Sequence, residues 1–260
     1  MNVNNNRLPS ILFIVFSLLW MGLVQADTTK NVFETDKSAP IYIYASQSGK
    51  KILKQGRHED NPFASALIEL LARHHLTFGE FSTGLVDLTL EKSRGFQQPD
   101  ISASSILDVL GACTLQLLPK PASESRVALI LAFSDYSGSN LPSLPGAKAD
   151  MSRMADALVR AGFREVRKVL DPNNAEVEST MRAFAELSKK SDMAVLYTAG
   201  HGIEVEGNIY LIPGNYPFLQ KNTMLDKRTI PLVRLGSALQ ASRANFIFYS
   251  GGRNNPFGAE

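Results

Sequence analysis

Met193–Pro213 reads MAVLYTAGHGIEVEGNIYLIP, and Asn245–Phe257 reads NFIFYSGGRNNPF. In each, a short apolar run feeds directly into a glycine-containing loop. The first leads into Gly200-His201-Gly202 and then a hairpin, the second into Ser250-Gly251-Gly252-Arg253-Asn254-Asn255. Apolar runs of this length predict strands buried on both faces, as in a parallel sheet. Loops at the carboxyl ends of such strands are where open α/β sheets carry their sites. These two loops are therefore where chemistry is to be sought.

The neighbouring sequence continues the pattern. Val127–Phe133 is a third unbroken apolar run. Ala147–Ala161 places Met151, Met154, Leu158 and Ala161 at helical spacing, with Gly162 as a stop. Val166–Leu170 predicts another strand. Asn173 with Glu176 three residues later predicts a capping box for a helix through Leu187, with Lys189 and Lys190 where cations suit a helix end. This βαβαβ order predicts a doubly wound, mostly parallel sheet. Farther upstream, Ile41–Ala45 is a β-rich run closed by the turn residues Ser46–Gly49. Asn61-Pro62 opens a helix with Phe63, Ala66, Leu67, Leu70 and Leu71 on one face. Phe78–Leu90 predicts a second helix, and Gln97–Ala103 a strand.

The two quoted loops resemble those of the caspase-like, metacaspase-type cysteine peptidases. There one strand ends in Gly-His-Gly, and the next core strand typically ends in Asp-Ala-Cys-Arg before an Asn-Pro-Phe loop. The resemblance implies an α/β fold, a three-layer αβα sandwich around a mostly parallel six-stranded sheet. It makes His201 the match for the general base and Gly252 the occupant of the nucleophile's position. Arg253 matches the family's arginine. The acidic residue two places before the nucleophile, which helps select a basic substrate side chain, is Ser250. By the same resemblance the N–H groups of Gly202 and Gly252 form the oxyanion-binding pair, while Ser250 and Arg253 lie at the substrate site.

Cysteine-peptidase chemistry needs a thiolate to attack a carbonyl and an imidazole to manage protons. Glycine offers no atom for the covalent step. Ser250 stands roughly 6–7 Å back along its strand. Cys113, in Leu110-Gly111-Ala112-Cys113-Thr114-Leu115, reads as a small buried hydrophobe. His201 itself has a second reading, in which it simply hydrogen-bonds a backbone carbonyl. Tyr197, Tyr210 and Tyr249 read as packing around strand ends.

Residues 40–105 carry a resemblance of their own. IYIYASQSGK, GRHEDNPFASALIELL and FQQPDISASS are similar, in that order, to the small-subunit half of the caspase-like domain. In the family that half follows the cysteine strand, and here it comes first. The order implies circular permutation, with residues 106–125 as a linker and 126–260 as the large-subunit-like segment. The linker must cover roughly 20 Å, the width of about four strand spacings, and twenty extended residues reach about three times that. Ile41–Ala45 is then expected beside Phe246–Tyr249. Coincidence, and a relic of tandem duplication, are the competing accounts.

At 260 residues the chain has room for one α/β domain with a sizeable core. Met1–Ala26 predicts a signal peptide, with Arg7, the apolar run Ile11–Val24 and small Ala26 at the cut. The run is 14 residues long, against about 20 needed to span a bilayer. An uncleaved anchor is the competing reading. Residues 27–39 then form a leader, and the product is expected to be secreted or periplasmic. Without Arg7, 26 basic residues face 25 acidic ones, which gives no electrostatic case for nucleic acid or an anionic membrane.

With Cys113 the only cysteine, no intrachain disulfide can form. No Cys-x-x-Cys, His-Glu-x-x-His, Walker loop or Gly-x-Ser-x-Gly elbow occurs, and His58, His74 and His75 lack ligand spacing. No cofactor or metal is therefore expected. Lys50, Lys51 and Arg57 form a basic loop of the solvated kind. The expected partner is a peptide or protein, with no nucleic acid, no stable membrane insertion, and dimerisation through an edge strand as an option. The leading functional reading is a non-catalytic pseudopeptidase. The second is an active cysteine endopeptidase whose nucleophile comes from Cys113 or another chain, and the third is a gene product without function.

Overall fold

A computed structural model describes residues 39–53, 61–102, 115–216 and 225–255. The expected signal peptide, most of the leader, Arg57, His58, Cys113, Pro256 and Phe257 lie outside them.

Six strands form the central sheet: β1 (Ile41–Tyr44), β3 (Asp100–Ser102), β5 (Arg126–Ala132), β6 (Glu165–Leu170), β7 (Met193–Ala199) and β11 (Ala244–Ser250). Their order is β3-β1-β11-β7-β5-β6. All neighbours run parallel except β3, which is antiparallel to β1 at the edge. Every residue of β5 and β7 is buried, as continuous apolar strands covered on both faces require.

Side chains alternate between two cores. Ala128, Ile130, Val195, Tyr197 and Phe246 face one layer, formed by α1 (Pro62–Leu71), α2 (Phe78–Lys92) and α3 (Pro145–Arg160). Val127, Leu129, Leu196, Ile247 and Tyr249 face the other, which includes α4 (Asn174–Ser188) and the short α5 (Leu232–Gly236). The result is the αβα sandwich expected from the resemblance. Phe78 of α2 stacks on Phe246 at 5.1 Å and Phe81 meets Phe248 edge-on at 5.8 Å, which pins that helix to β11.

Local chemistry sets the element ends. Asn61 caps α1 by accepting from Phe63 and Ala64, and Pro62 occupies the first turn, where its missing N–H costs nothing. The Asn173–Glu176 capping box forms on α4, at 3.0 Å and 2.8 Å. A second box, Thr77 with Glu80, opens α2 and went unread in the sequence. β3 is shorter than the Gln97–Ala103 expected. Gln97 is held by its own contacts, its N–H on Ser93 Oγ and its Oε1 on Leu53 N, and Pro99 has no N–H for a ladder. The stretch read as a linker contains β4 (Gln116–Leu118), which pairs antiparallel with β2 (Leu76–Thr77). Leu117 and Leu118 are buried.

Two connections position the site. From β5 the chain crosses through α3 to β6 on one side, then returns through α4 to β7 on the other. The carboxyl ends of β5 and β7 therefore flank a topological switch point, where open α/β sheets bind ligands. β1 lies on the far side of β11 in parallel register, Ile41 opposite Phe246 and Tyr44 opposite Tyr249. This is the pairing expected for Ile41–Ala45.

Candidate functional site

Ala199 stands opposite Ser250 in the β7–β11 ladder. Gly200-His201-Gly202 and Gly251-Gly252-Arg253 thus leave adjacent strands side by side at the sheet's carboxyl end. The first segment continues into a hairpin of β8 (Gly202–Val205) and β9 (Asn208–Leu211). Its two-residue turn, Glu206 and Gly207, has φ of 50° and 77°, the positive values a type I′ turn demands.

His201 is half-buried and held on two sides. Its backbone N–H donates to the Tyr136 hydroxyl at 2.8 Å, and that hydroxyl donates to the Ile212 carbonyl at 2.9 Å. The Tyr136 ring meets the imidazole edge-on, with centroids 4.5 Å apart. A Cβ on Gly200 would come within 3.0 Å of both Phe133 Cβ and Tyr136 Oη, so this tight approach needs glycine. Imidazole Nε2 lies 2.8 Å from the Pro142 carbonyl. A carbonyl only accepts, so Nε2 carries hydrogen and Nδ1 is the basic nitrogen of the neutral ring. The backbone-carbonyl contact of the second reading is present.

The loop bearing Pro142 is itself anchored. Asp171, at φ 51°, accepts from the Ser134 and Asp135 N–H groups with one carboxylate oxygen, at 2.5 Å and 2.9 Å. Leu144 N–H closes the loop onto the Ser134 carbonyl. Burial pushes the Tyr136 hydroxyl pKa well above its usual value, which keeps it neutral and able to donate.

Gly252 has room around it. A Cβ there would meet only Asn254 Oδ1, at 3.0 Å, the end of a flexible side chain. Its φ is not in the left-handed region, so the backbone alone does not demand glycine. Gly202 differs, because a Cβ there would collide with Tyr249 Oη.

Ser250 is buried at 3% exposure, and strand alternation turns it toward the face that carries Phe246 and Phe248. It sits beside the Tyr197 hydroxyl, whose pKa burial raises strongly; Asp150 raises it further and Ser250 tempers the rise. Asp150, also buried, is ion-paired to Arg153 on α3.

Arg253 is buried and held on several sides. Its Nε donates to Glu204 Oε2 at 2.7 Å, and Nη1 donates to Asp100 Oδ2 at 2.7 Å and to the Ser46 carbonyl at 3.1 Å. The guanidinium also lies over the Tyr44 ring, 4.2 Å from its centroid. Burial disfavours its charge, but the bonds to Glu204 and Asp100 outweigh that and hold its pKa above the usual value. Ser48 Oγ completes the cluster by donating to Glu204 Oε1 at 2.7 Å. The structure makes Arg253 the tie between β11, β1, β3 and β8.

His201, Gly202, Gly252 and Arg253 therefore come together at one sheet end, with Ser250 turned into the core behind them. The residues that hold them there, Tyr136, Pro142, Asp171, Glu204 and Asp100, were not singled out in the sequence. Glu204 alone gave a signal, as an acidic residue three places after the histidine. Among the described residues no group of His, Cys, Asp and Glu could hold a metal ion, and no helix is long and apolar enough to cross a membrane. A cavity of about 40 Å³, lined by Leu67, Phe81, Met154, Phe246 and others, lies between sheet and helices and is too small for a peptide.

Comparison with known proteins agrees with this geometry. Residues 125–248 match the family model for the caspase domain. The chain carries a caspase-like domain. The match runs from just before β5 to Phe248 within β11, so Ser250 and Gly252 lie beyond it. Human mucosa-associated lymphoid tissue lymphoma translocation protein 1 is 28% identical over 102 residues, which is 39% of this chain and 12% of that protein. β1 and β3 fall outside the matched residues yet belong to the same sheet.

Proposed function

We propose that this caspase-like domain binds a peptide or protein segment at the carboxyl end of its sheet without cleaving it. The observation that carries this reading is Gly252. It stands where a nucleophile would be needed, in space that would admit a side chain, and has none. The other parts of acyl-transfer machinery are compatible with the arrangement: an imidazole with Nδ1 as its basic nitrogen, and the backbone N–H groups of Gly202 and Gly252 to receive a carbonyl oxygen. Without a nucleophile these parts recognise a peptide carbonyl and go no further. Ser250 makes a poor substitute, since its hydroxyl is buried beside Tyr197.

Two further readings belong with this one. The order of segments is best explained by circular permutation, because β1 and β3 precede the matched caspase residues in the chain yet lie beyond β11 in the sheet. Export, to a secreted or periplasmic location, rests on the sequence of Met1–Ala26.

The test uses fluorogenic peptides ending in Arg or Lys. Wild type should give no turnover. Gly252→Cys, made with Cys113→Ser, should gain measurable hydrolysis that disappears when His201→Ala is added. Wild-type hydrolysis surviving loss of both His201 and Cys113 would place the chemistry elsewhere. A folded but inert Gly252→Cys would mean that more than a sulfur atom is missing.

A further inference from the structure

Tyr249, the penultimate residue of β11, is fully buried and faces away from Ser250, beneath the two loops. Its hydroxyl donates to the Gly252 carbonyl at 3.0 Å. The next N–H along, that of Arg253, donates to the Lys50 carbonyl at 2.9 Å. These two groups belong to one peptide unit, so the plane joining residues 252 and 253 is pinned at both ends. The same hydroxyl touches the other loop, since a Cβ on Gly202 would overlap Oη. On Gly251 a Cβ would come within 2.5 Å of both Cζ and Oη. Neither glycine has a left-handed φ. They are glycines because the tyrosine fills the space.

We infer that the Tyr249 hydroxyl is the positioning group that holds the Gly202 and Gly252 backbones in one fixed arrangement. One buried side chain serves as a post between two strand ends that share no covalent link near the site. Its hydrogen bond fixes the peptide plane that follows Gly252, and its ring packs against Gly251, whose carbonyl shares a peptide unit with the Gly252 N–H, and against Gly202. The inference rests on the reading of these two glycines as the peptide-binding backbone, and its test separates the two.

The first arm is a stability cycle on the full chain with Gly202→Ala, Tyr249→Phe and the double variant. Gly202→Ala overpacks the core and should lower the melting temperature by roughly 5–10 °C. In the Tyr249→Phe background the loss should fall to half or less, because the colliding oxygen is gone. The second arm needs no change at Gly202. In Gly252→Cys/Cys113→Ser, the rate of alkylation by iodoacetamide is followed against pH, with and without Tyr249→Phe, and with His201→Ala as a control. A thiol held by His201 should titrate below the ordinary value of about 8.5. Removing the Tyr249 hydroxyl should move its profile toward that value and slow alkylation at pH 7 by several-fold.

Additive losses in the cycle overturn the inference. So does a pH profile that responds to His201 but not to the hydroxyl, and that result leaves the peptide-site reading standing. A profile that responds to neither removes the peptide-site reading, and the cycle then decides alone whether Tyr249 couples the loops.

Discussion

Two arginines are buried at opposite ends of the central sheet, and they are held in opposite ways. Arg126, at the amino end of β5, is 2% exposed and pairs with Glu124, which Arg243 shares. There one carboxylate serves two guanidinium groups. Burial lowers the pKa of Arg126, and Glu124 only partly offsets it. Arg253, at the carboxyl end of β11, has two carboxylates to itself, and its pKa is raised. The amino end ties β5 to β4, through the Leu117 carbonyl at 2.6 Å, and carries no candidate site. The carboxyl end ties four strands and carries the site. The surplus of negative charge thus lies where the loops must be held still, and a lost arginine should be felt more there.

The largest expected effect breaks the stronger cluster. Arg253→Met leaves Glu204, about 8% exposed, without its partner and should cost about 3–5 kcal/mol. Most of this belongs to Glu204, because Asp100 is 41% exposed and such pairs are worth little. Arg126→Met leaves Glu124 paired to Arg243 and should cost about 1–3 kcal/mol. Urea unfolding of both variants tests the ranking. Adding Glu204→Gln should recover part of the Arg253→Met loss, and equal losses at the two ends would erase the distinction.

A second experiment sharpens the carboxyl end by adding charge. Ser250→Asp places a carboxylate in a site 3% exposed, close to Asp150 and Tyr197, and should cost about 1–3 kcal/mol at neutral pH. Burial and Asp150 both raise the folded pKa of the new group. The native state is then fully favoured below the unfolded value of about 3.9 and loses stability as pH rises through the raised value. Stability measured from pH 4 to 7 should therefore fall relative to wild type. A flat difference would mean the new carboxylate reaches solvent or a cation.

The smallest effect concerns Tyr44, under the Arg253 guanidinium. Burial pushes its hydroxyl up to about 12, against the lowering effect of Arg253. Tyr44 is neutral in both states below about pH 10, and its contribution is lost as pH rises toward 12. Tyr44→Phe should therefore flatten slightly the decline in stability above pH 10. The flattening is slight because Tyr136, Tyr197 and Tyr249 carry raised values too. An unchanged slope would show that the Tyr44 hydroxyl ionises alike in the folded and unfolded chain, so that its pKa is not raised by folding.

What could be read in the sequence was local. The runs that became β5, β7 and β11 show burial in their own composition, and the Asn173–Glu176 box needs only four residues of context. The hairpin after His201 also lies within one short stretch of chain. What escaped reading was set by distance along the chain. Tyr136 meets His201 across 65 residues, Glu204 meets Arg253 across 49 and Asp100 meets it across 153. Such partners are chosen by strand order, and no spacing rule brings them together. The pairing of β1 with β11 was legible only through the order of family-like motifs. The short β3 was misjudged because Gln97 spends its polar groups on Ser93 and Leu53 rather than on a neighbouring strand.

That β1–β11 ladder joins positions about 200 residues apart, and β3 reaches the sheet only through it. Contacts of such long sequence separation slow folding. During synthesis β1, α1 and α2 emerge early, and the strand that completes their layer is the last described element to be made. Until β11 arrives, Phe78 and Phe81 lack the Phe246 and Phe248 rings they pack against in the native sheet. β1, α1 and α2 thus wait with apolar surface uncovered until Ala244 has been made, the condition under which partly folded chains aggregate.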